Sequence, residues 1–292
     1  MTGDTCDLRF PYLNGRAEWL PCIRIHDKFP DSSAWEPTPR LANYGIIWYN
    51  SSEKAVDMKI LVFADLHSNF DALSALQAVE SKPDAVLFLG DIVGYGPEPQ
   101  SCLAWIRSNA THAVRGNHDE AAARDVASRC PPDLEDLAEA TKAYTRRMLN
   151  QVDFDYLGNL PLEETVNLGG VRFYLTHAAP SDNLAKPLPL TDHNESQLAA
   201  EIGHLEADVV FLGHTHVPEI RKVGRTVLVN PGSLGQPRHG TASPTYAVWE
   251  DGELQIRHIH YDLSPVLRKL SLLPLDPEHT ARLQAIIQTA LG

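Results

Sequence analysis

Residues 56–69 read VDMKILVFADLHSN. The apolar run from Ile60 to Ala64 has strand length and no polar interruption. It stops at Asp65-Leu66-His67, where two metal-capable side chains stand two residues apart. A short apolar run bounded this way reads as a buried strand that delivers polar residues at its end. The same stretch holds a Met58-Lys59 pair that has the look of a chain start.

Upstream and downstream of Met58 the sequence changes character. Residues 1–57 contain Pro11, Pro21, Pro30, Pro37 and Pro39, three tryptophans, and no helical or strand period. Prolines at that density break helices and central strands. Residues 1–57 are therefore expected to be a poorly structured or loosely packed extension, with Met58 as the true initiator and 58–292 as the functional domain.

From Met58 onward, strand-length apolar runs alternate with helix-length segments. Strands are predicted at 59–64, 85–89, 112–115, 171–176, 208–212, 226–229, 245–249 and 254–260. Helices are predicted at 70–81, 99–108, 120–127, 134–150, 195–205 and 277–291. This alternation predicts an α/β fold with parallel strands and crossover helices. The last strands follow one another closely, with a turn at Glu250-Asp-Gly-Glu253, and are expected to be antiparallel. Residues 180–194, with Pro180, Pro187 and Pro189, read as a loop of the kind that carries substrate contacts. Asn69 precedes a predicted helix and is read as its N-cap ahead of a phosphate contact. The 134–150 segment carries an amphipathic stripe that faces a core or a dimer partner, which leaves a homo-oligomer open.

Composition excludes several classes. Acidic residues outnumber basic ones 38 to 25, for a formal charge of −13. No basic stripe is present, so extended nucleic-acid binding is not expected. No apolar run approaches the ~18 residues that span a bilayer, so no membrane partner is expected. No signal-peptide pattern opens the chain, and a cytoplasmic protein is the default. Cys6, Cys22, Cys102 and Cys130 form no CxxC pair and no disulfide scaffold.

The ends of the predicted strands share one property. They stop at Asp65-x-His67, Gly90-Asp91, Gly116-Asn117-His118-Asp119, His177 and Gly213-His214-x-His216. In open α/β sheets, ligands bind beyond the carboxyl ends of the strands. In extended backbone, residues i and i+2 point the same way, so Asp65 and His67 can reach one ion together. His214 and His216 can do the same, or straddle two ions. Carboxylates, imidazoles and one amide, with no thiolate, suit manganese, iron, nickel or zinc rather than calcium.

Five such motifs in this order resemble the calcineurin-like metallophosphoesterase superfamily, over roughly residues 58–262. The stretches DLHSNFDAL, GDIVGYGPEP and VNPGSLGQPR look like its small prokaryotic phosphodiesterase branch, the YfcE-type enzymes. The resemblance implies a four-layer α/β/β/α sandwich of two mixed sheets. It implies two divalent transition-metal ions, manganese first among them. One would be held by Asp65, His67, Asp91 and His216, the other by Asp91, Asn117, His177 and His214, with Asp91 shared. His118 would stand beside the scissile phosphate as the catalytic residue, and a metal-bridging hydroxide would be the nucleophile. The implied substrate is a small-molecule or nucleotide phosphoester, a diester ahead of a phosphoprotein. Tyr95, Arg238 and His239 are further candidates for substrate contact.

One departure stands out. Protein phosphatases of the superfamily carry Gly-Asp-x-x-Asp-Arg-Gly, where this chain has Gly90-Asp-Ile-Val-Gly-Tyr-Gly96. The aspartate that orients the catalytic histidine there is Gly94 here, and the arginine is missing. Two rival readings are carried forward. One is a non-catalytic binding scaffold on the same fold. The other is a nuclease.

Overall fold

A computed structural model describes residues 47–48 and 58–291. The strands are β1 (Ile47–Trp48), β2 (Lys59–Phe63), β3 (Ala85–Phe88), β4 (His112–Ala113), β5 (Glu163–Leu168), β6 (Val171–Thr176), β7 (Val209–Phe211), β8 (Pro218–Val223), β9 (Thr226–Pro231), β10 (Thr245–Glu250) and β11 (Glu253–His258). The helices are α1 (Phe70–Val79), α2 (Pro99–Asn109), α3 (Asn117–Arg124), α4 (Glu135–Met148), α5 (Gln151–Asn159), α6 (Glu195–Ile202), α7 (Ser264–Ser271) and α8 (Pro277–Thr289). The expectation for residues 1–57 falls outside the described residues, apart from β1, which pairs antiparallel with β11.

The strands form two mixed sheets, ordered β1-β11-β10-β2-β3-β4 and β5-β6-β7-β9-β8. In the first, β2, β3 and β4 run parallel and β10 and β11 antiparallel. In the second, β6, β7 and β9 run parallel and the edge strands β5 and β8 antiparallel. The hairpin expected at 250–253 joins β10 to β11. The predicted strand at 226–229 lies in the other sheet as β9.

Alternation along β2 explains the layering. Ile60, Val62 and Ala64 point into a core shared with Phe173, Leu175, Val209 and Phe211 of the second sheet. Leu61 and Phe63 point to the opposite face, against Leu73 and Leu76 of α1, Leu103 and Ile106 of α2 and Leu157 of α5. The outer face of the second sheet, with Tyr174, Val210 and Leu228, packs on Leu198 and Ile202 of α6. Helix, sheet, sheet and helix thus stack in four layers, the implied α/β/β/α sandwich. A fourth cluster gathers Leu137 and Ala138 of α4 with Val266, Leu270, Leu283 and Ile286 of α7 and α8 around Tyr95. The 134–150 stripe therefore faces a core of its own chain. Among the described residues no helix is long and apolar enough to cross a membrane.

Asn69 caps α1: its Oδ1 accepts the Ala72 N–H at 3.1 Å, and its amide donates to the Gly235 carbonyl at 2.9 Å. That second bond ties the start of α1 to the loop after β9, so one cap joins two segments that flank the site.

A candidate dinuclear centre

The residues that end β2, β3, β6 and β7, and those that open α3, meet at one rim. Asp65, His67, Asp91, Asn117 and His177 are all buried, as is His216. They reach the rim by a route that extended backbone does not supply. β2 ends at Phe63, and Asp65 and His67 adopt φ of 51° and 46°. Asp91, His214 and His216 also lie in the left-handed region, at 61°, 69° and 59°. Asp65 and His67 therefore reach one donor group through left-handed turns and not through the i, i+2 alternation of an extended strand. Such conformations cost of order 1–3 kcal/mol each and persist where surrounding bonds over-determine them. Here the loops are pinned to each other: Asp65 N–H donates to Gly90, His67 N–H to Asp91 and Ser68 N–H to Ile92, at 2.9–3.0 Å.

Two groups of donor atoms result. In one, His67 Nε2 lies 3.1 Å from His216 Nε2 and 3.6 Å from Asp91 Oδ2, and His216 Nε2 lies 3.5 Å from Asp65 Oδ1. In the other, His177 Nε2 lies 2.9 Å from Asn117 Oδ1 and 3.4 Å from Asp91 Oδ2. His214 Nδ1 is 3.1 Å from Asn117 Oδ1 and 3.3 Å from His177 Nε2. Asp91 Oδ2 thus belongs to both groups, while His214 and His216 fall into different ones, the straddling arrangement. Donor atoms about 2.0–2.2 Å from a common ion are separated by about 2.8–3.6 Å in tetrahedral or octahedral geometry. The observed spacings occupy that range.

The far ring nitrogens fix the tautomers. His67 Nδ1 donates to the Val93 carbonyl at 3.1 Å, His177 Nδ1 to Leu89 at 2.9 Å and His216 Nδ1 to Gln236 at 2.6 Å. A carbonyl can only accept, so in each neutral ring Nε2 presents a lone pair to the centre. Asn117 is fixed likewise, because its amide donates to the Ser128 carbonyl at 2.6 Å and turns Oδ1 inward. Lone pairs that face one another at 3 Å repel, and a cation between them removes the repulsion. The donor set therefore fits divalent metal ions.

Asp119 does not orient the His118 ring. Its carboxylate accepts the backbone N–H groups of Asp91, Ile92, Val93 and Gly116 at 2.9–3.2 Å. It moulds the loop that carries Asp91 and the carbonyl behind His67. Gly116 closes the cradle, since a Cβ there would lie 2.0 Å from Asp91 Oδ1. The predicted helix at 120–127 in fact begins at Asn117, so Asn117 and His118 sit on the first turn of α3. The His118 N–H donates to Asp91 Oδ1 at 2.9 Å. Its ring packs 5.0 Å from His67 and 4.6 Å from Tyr95. Gly94, at φ 90°, leaves room for it, as a Cβ would stand 2.7 Å from His118 Nδ1. The glycine that replaces the phosphatase aspartate is thus the floor under the ring.

The substrate candidates separate. Tyr95 is buried against His67 and His118, and Arg238 lies over the Tyr95 ring. His239 is not brought into the donor set; its ring neighbours His258, 6.2 Å away. Sequence reasoning missed the carbonyls that orient the imidazoles, because a backbone oxygen leaves no mark in residue identity. The Asp119 cradle carried a signal, its place beside His118, but not its direction.

Electrostatics from the protein's own groups yields a pH prediction. Burial pushes Asp91 up to about 7. Burial and the nearby Asp91 push Asp119 up to about 8. Burial lowers His177 to about 4 and, with the charges of His177 and Arg238, His214 to about 3. Between the unfolded carboxyl value near 3.9 and these raised values, the native state holds more protons, so stability falls as pH rises. The histidines act oppositely, but only below about 6.5, where unfolded imidazoles bind protons. Above pH 6.5 the carboxyls act alone. The Tm of chelator-treated protein is therefore expected to fall from pH 6.5 to 8. The manganese-saturated protein should hold or gain stability, because ligation takes ionised carboxylates and neutral imidazoles. Thermal melts at the two pH values test this; a rising Tm in chelator would contradict it.

Known proteins resemble this chain over most of its length. Residues 58–251 match the calcineurin-like phosphoesterase superfamily domain. A probable metallophosphoesterase of Mycoplasma genitalium is 27% identical over 208 residues, covering 70% of this chain and 95% of that protein. An uncharacterised protein of Methanocaldococcus jannaschii is 26% identical over 234 residues, covering 74% and 93%. The crystal structure of a metallophosphoesterase from Sphaerobacter thermophilus superposes with a TM-score of 0.65 at 26% identity, over 78% of this chain and 98% of that one. A hypothetical protein from Pyrococcus horikoshii shares the fold with a TM-score of 0.67 at 20% identity, over 80% and 98%. The chain belongs to the calcineurin-like phosphoesterase superfamily and is a metallophosphoesterase.

Proposed function

We propose that this enzyme hydrolyses small-molecule or nucleotide phosphoesters, diesters ahead of phosphoproteins, with two divalent ions, manganese first among candidates. One ion would be held by Asp65, His67, Asp91 and His216, the other by Asp91, Asn117, His177 and His214. The observation that carries this reading is the convergence of oriented lone pairs on two adjoining points that share Asp91 Oδ2. Bound there, such ions would supply Lewis acidity toward phosphoryl oxygens and an activated water.

The chain's own residues do the rest. Val93, Leu89 and Gln236 carbonyls hold three imidazoles in the ligating tautomer. Asp119 keeps the Asp91 loop in place through four N–H bonds. His118, beside the shared carboxylate, is placed to neutralise charge on the phosphoryl group or to give a proton to the leaving oxygen. Gly94 and the missing arginine set the site apart from the protein-phosphatase pattern and support a small substrate.

The test is a screen of manganese-loaded protein against aryl phosphomonoesters, linear diesters and cyclic nucleotides, with chelated protein as control. Manganese-dependent turnover of a small ester is expected. Absence of any turnover would favour a binding scaffold. Cleavage of DNA at physiological salt, with none of the small esters turned over, would favour a nuclease.

A further inference from the structure

Arg238 stands beside the donor set, and among the described residues it has no acidic partner. Its backbone N–H donates to the His216 carbonyl at 3.3 Å. Its guanidinium carbon lies 5.8 Å from the centroid of the Tyr95 ring, which in turn lies 4.6 Å from His118 and 4.8 Å from His67. One terminal nitrogen donates to Gln236 Oε1 at 2.7 Å, while Nε is buried with no hydrogen-bond partner. Tyr95 is 2% exposed, and Arg238 acts on its hydroxyl through charge and hydrogen bonding.

The missing partner is informative in a chain with 38 acidic residues. Arg115 is paired with Glu120 at 3.0 Å and Arg257 with Glu80 at 2.8 Å, whereas the half-buried Arg221 bonds the Leu190 carbonyl at 2.9 Å. Among the described residues no carboxylate lies within ion-pairing distance of Arg238. A partly desolvated guanidinium with free donors is costly until an anion reaches it.

We propose that Arg238 is the residue that reads substrate charge. Its guanidinium, carried on the Tyr95 ring, takes the phosphoryl oxygens that point away from the two ion positions. A terminal phosphoryl group with two negative charges offers the planar fork a pair of charged acceptors. A diester offers one charged oxygen fewer, because the second substituent occupies it. Arg238 therefore strengthens binding of phosphomonoesters and inorganic phosphate more than binding of diesters. Tyr95 acts as the platform that fixes the guanidinium, not as a substrate contact. This inference rests on the phosphoester reading above.

The experiment compares manganese-loaded wild type, Arg238→Gln and Arg238→Lys. Kinetics are measured with 4-nitrophenyl phosphate and bis(4-nitrophenyl) phosphate, and inorganic phosphate binding by calorimetry. For Arg238→Gln the monoester KM and the phosphate Kd are expected to rise by roughly 10- to 100-fold, the scale of a charged hydrogen bond. The diester KM should rise much less, and manganese content and Tm should stay as in wild type. Arg238→Lys should restore part of the phosphate affinity. Equal changes for both esters, no change in phosphate binding, or loss of manganese in Arg238→Gln would each overturn the proposal. Wild type that turns over neither ester would instead bring down the phosphoester reading itself.

Discussion

Asp91→Asn is expected to lose its bound ions and most of its turnover, while the chelated variant melts at a higher temperature than chelated wild type at pH 8. The two effects have one cause. Asp91 Oδ2 lies 3.6 Å from His67 Nε2 and 3.4 Å from His177 Nε2, so a single oxygen serves both donor groups. Replacing it by a neutral amide removes a charge from each candidate ion at once. Metal stabilisation of a transition state is worth several kcal/mol, so turnover should fall by about three powers of ten or more. Without ions the same carboxylate is a burden: burial holds it up to about 7. At pH 8 the chelated wild type therefore keeps an uncompensated buried charge, and asparagine relieves it. The His118 N–H bond to Oδ1 survives, because an amide oxygen also accepts. Elemental analysis and paired melts with and without chelator give the readouts. A variant that still binds two manganese ions per chain would remove Asp91 from the shared position. A lower Tm in chelator would show that the carboxylate serves the fold itself rather than the ions.

The part of this legible in the sequence was the part written in residue identity and period. Strands buried on both faces announced themselves, because β2 and β7 are runs of apolar residues. The two edges of the second sheet did not. β5, Glu163–Leu168, has one buried residue, and β8 opens with Pro218, so neither shows a clear apolar pattern. An edge strand meets solvent on one side, and the hydrophobic signal weakens there. The helix predicted over 134–150 is α4, Glu135–Met148, but α5, Gln151–Asn159, was not predicted; Asn150 caps it, its Oδ1 accepting from Val152 and Asp153. That N-cap signal was present and unread. At the site, the motif order named the residues that converge. It did not show how they converge. Left-handed turns at Asp65, His67, Asp91, His214 and His216 are imposed by bonds between loops far apart in sequence; Asp and His enter that region more readily than most residues, but residue type alone does not call for it. The role of Gly94 was equally hidden. In the sequence it was a departure from a pattern; in space it is the surface on which the His118 ring rests.

That placement sets up the second large effect. His118→Ala is expected to lower turnover by about 10²–10⁴-fold, the scale of a lost general acid, with the ion content unchanged. The ring is 6% exposed, packed between His67 and Tyr95, and its backbone rather than its imidazole bonds Asp91. Alanine keeps that N–H, so the shared carboxylate keeps its orientation. What disappears is the imidazole alone. A competing role has a geometric basis, since ring nitrogens of His67 and His118 and a carboxylate oxygen of Asp91 lie within 4.8 Å of one another. If His118 were a ligand, its removal would cost bound metal as well as turnover. Manganese content measured beside kcat separates the two. Full occupancy with depressed kcat keeps His118 in the acid role, whereas reduced occupancy would reassign it to the donor set. The leaving group gives a further separation. An ester with a good leaving group needs little protonation at departure, so the variant's deficit should shrink as the leaving group's pKa falls. A deficit of equal size across leaving groups would mean that the imidazole steadies the phosphoryl oxygens instead of protonating the departing one.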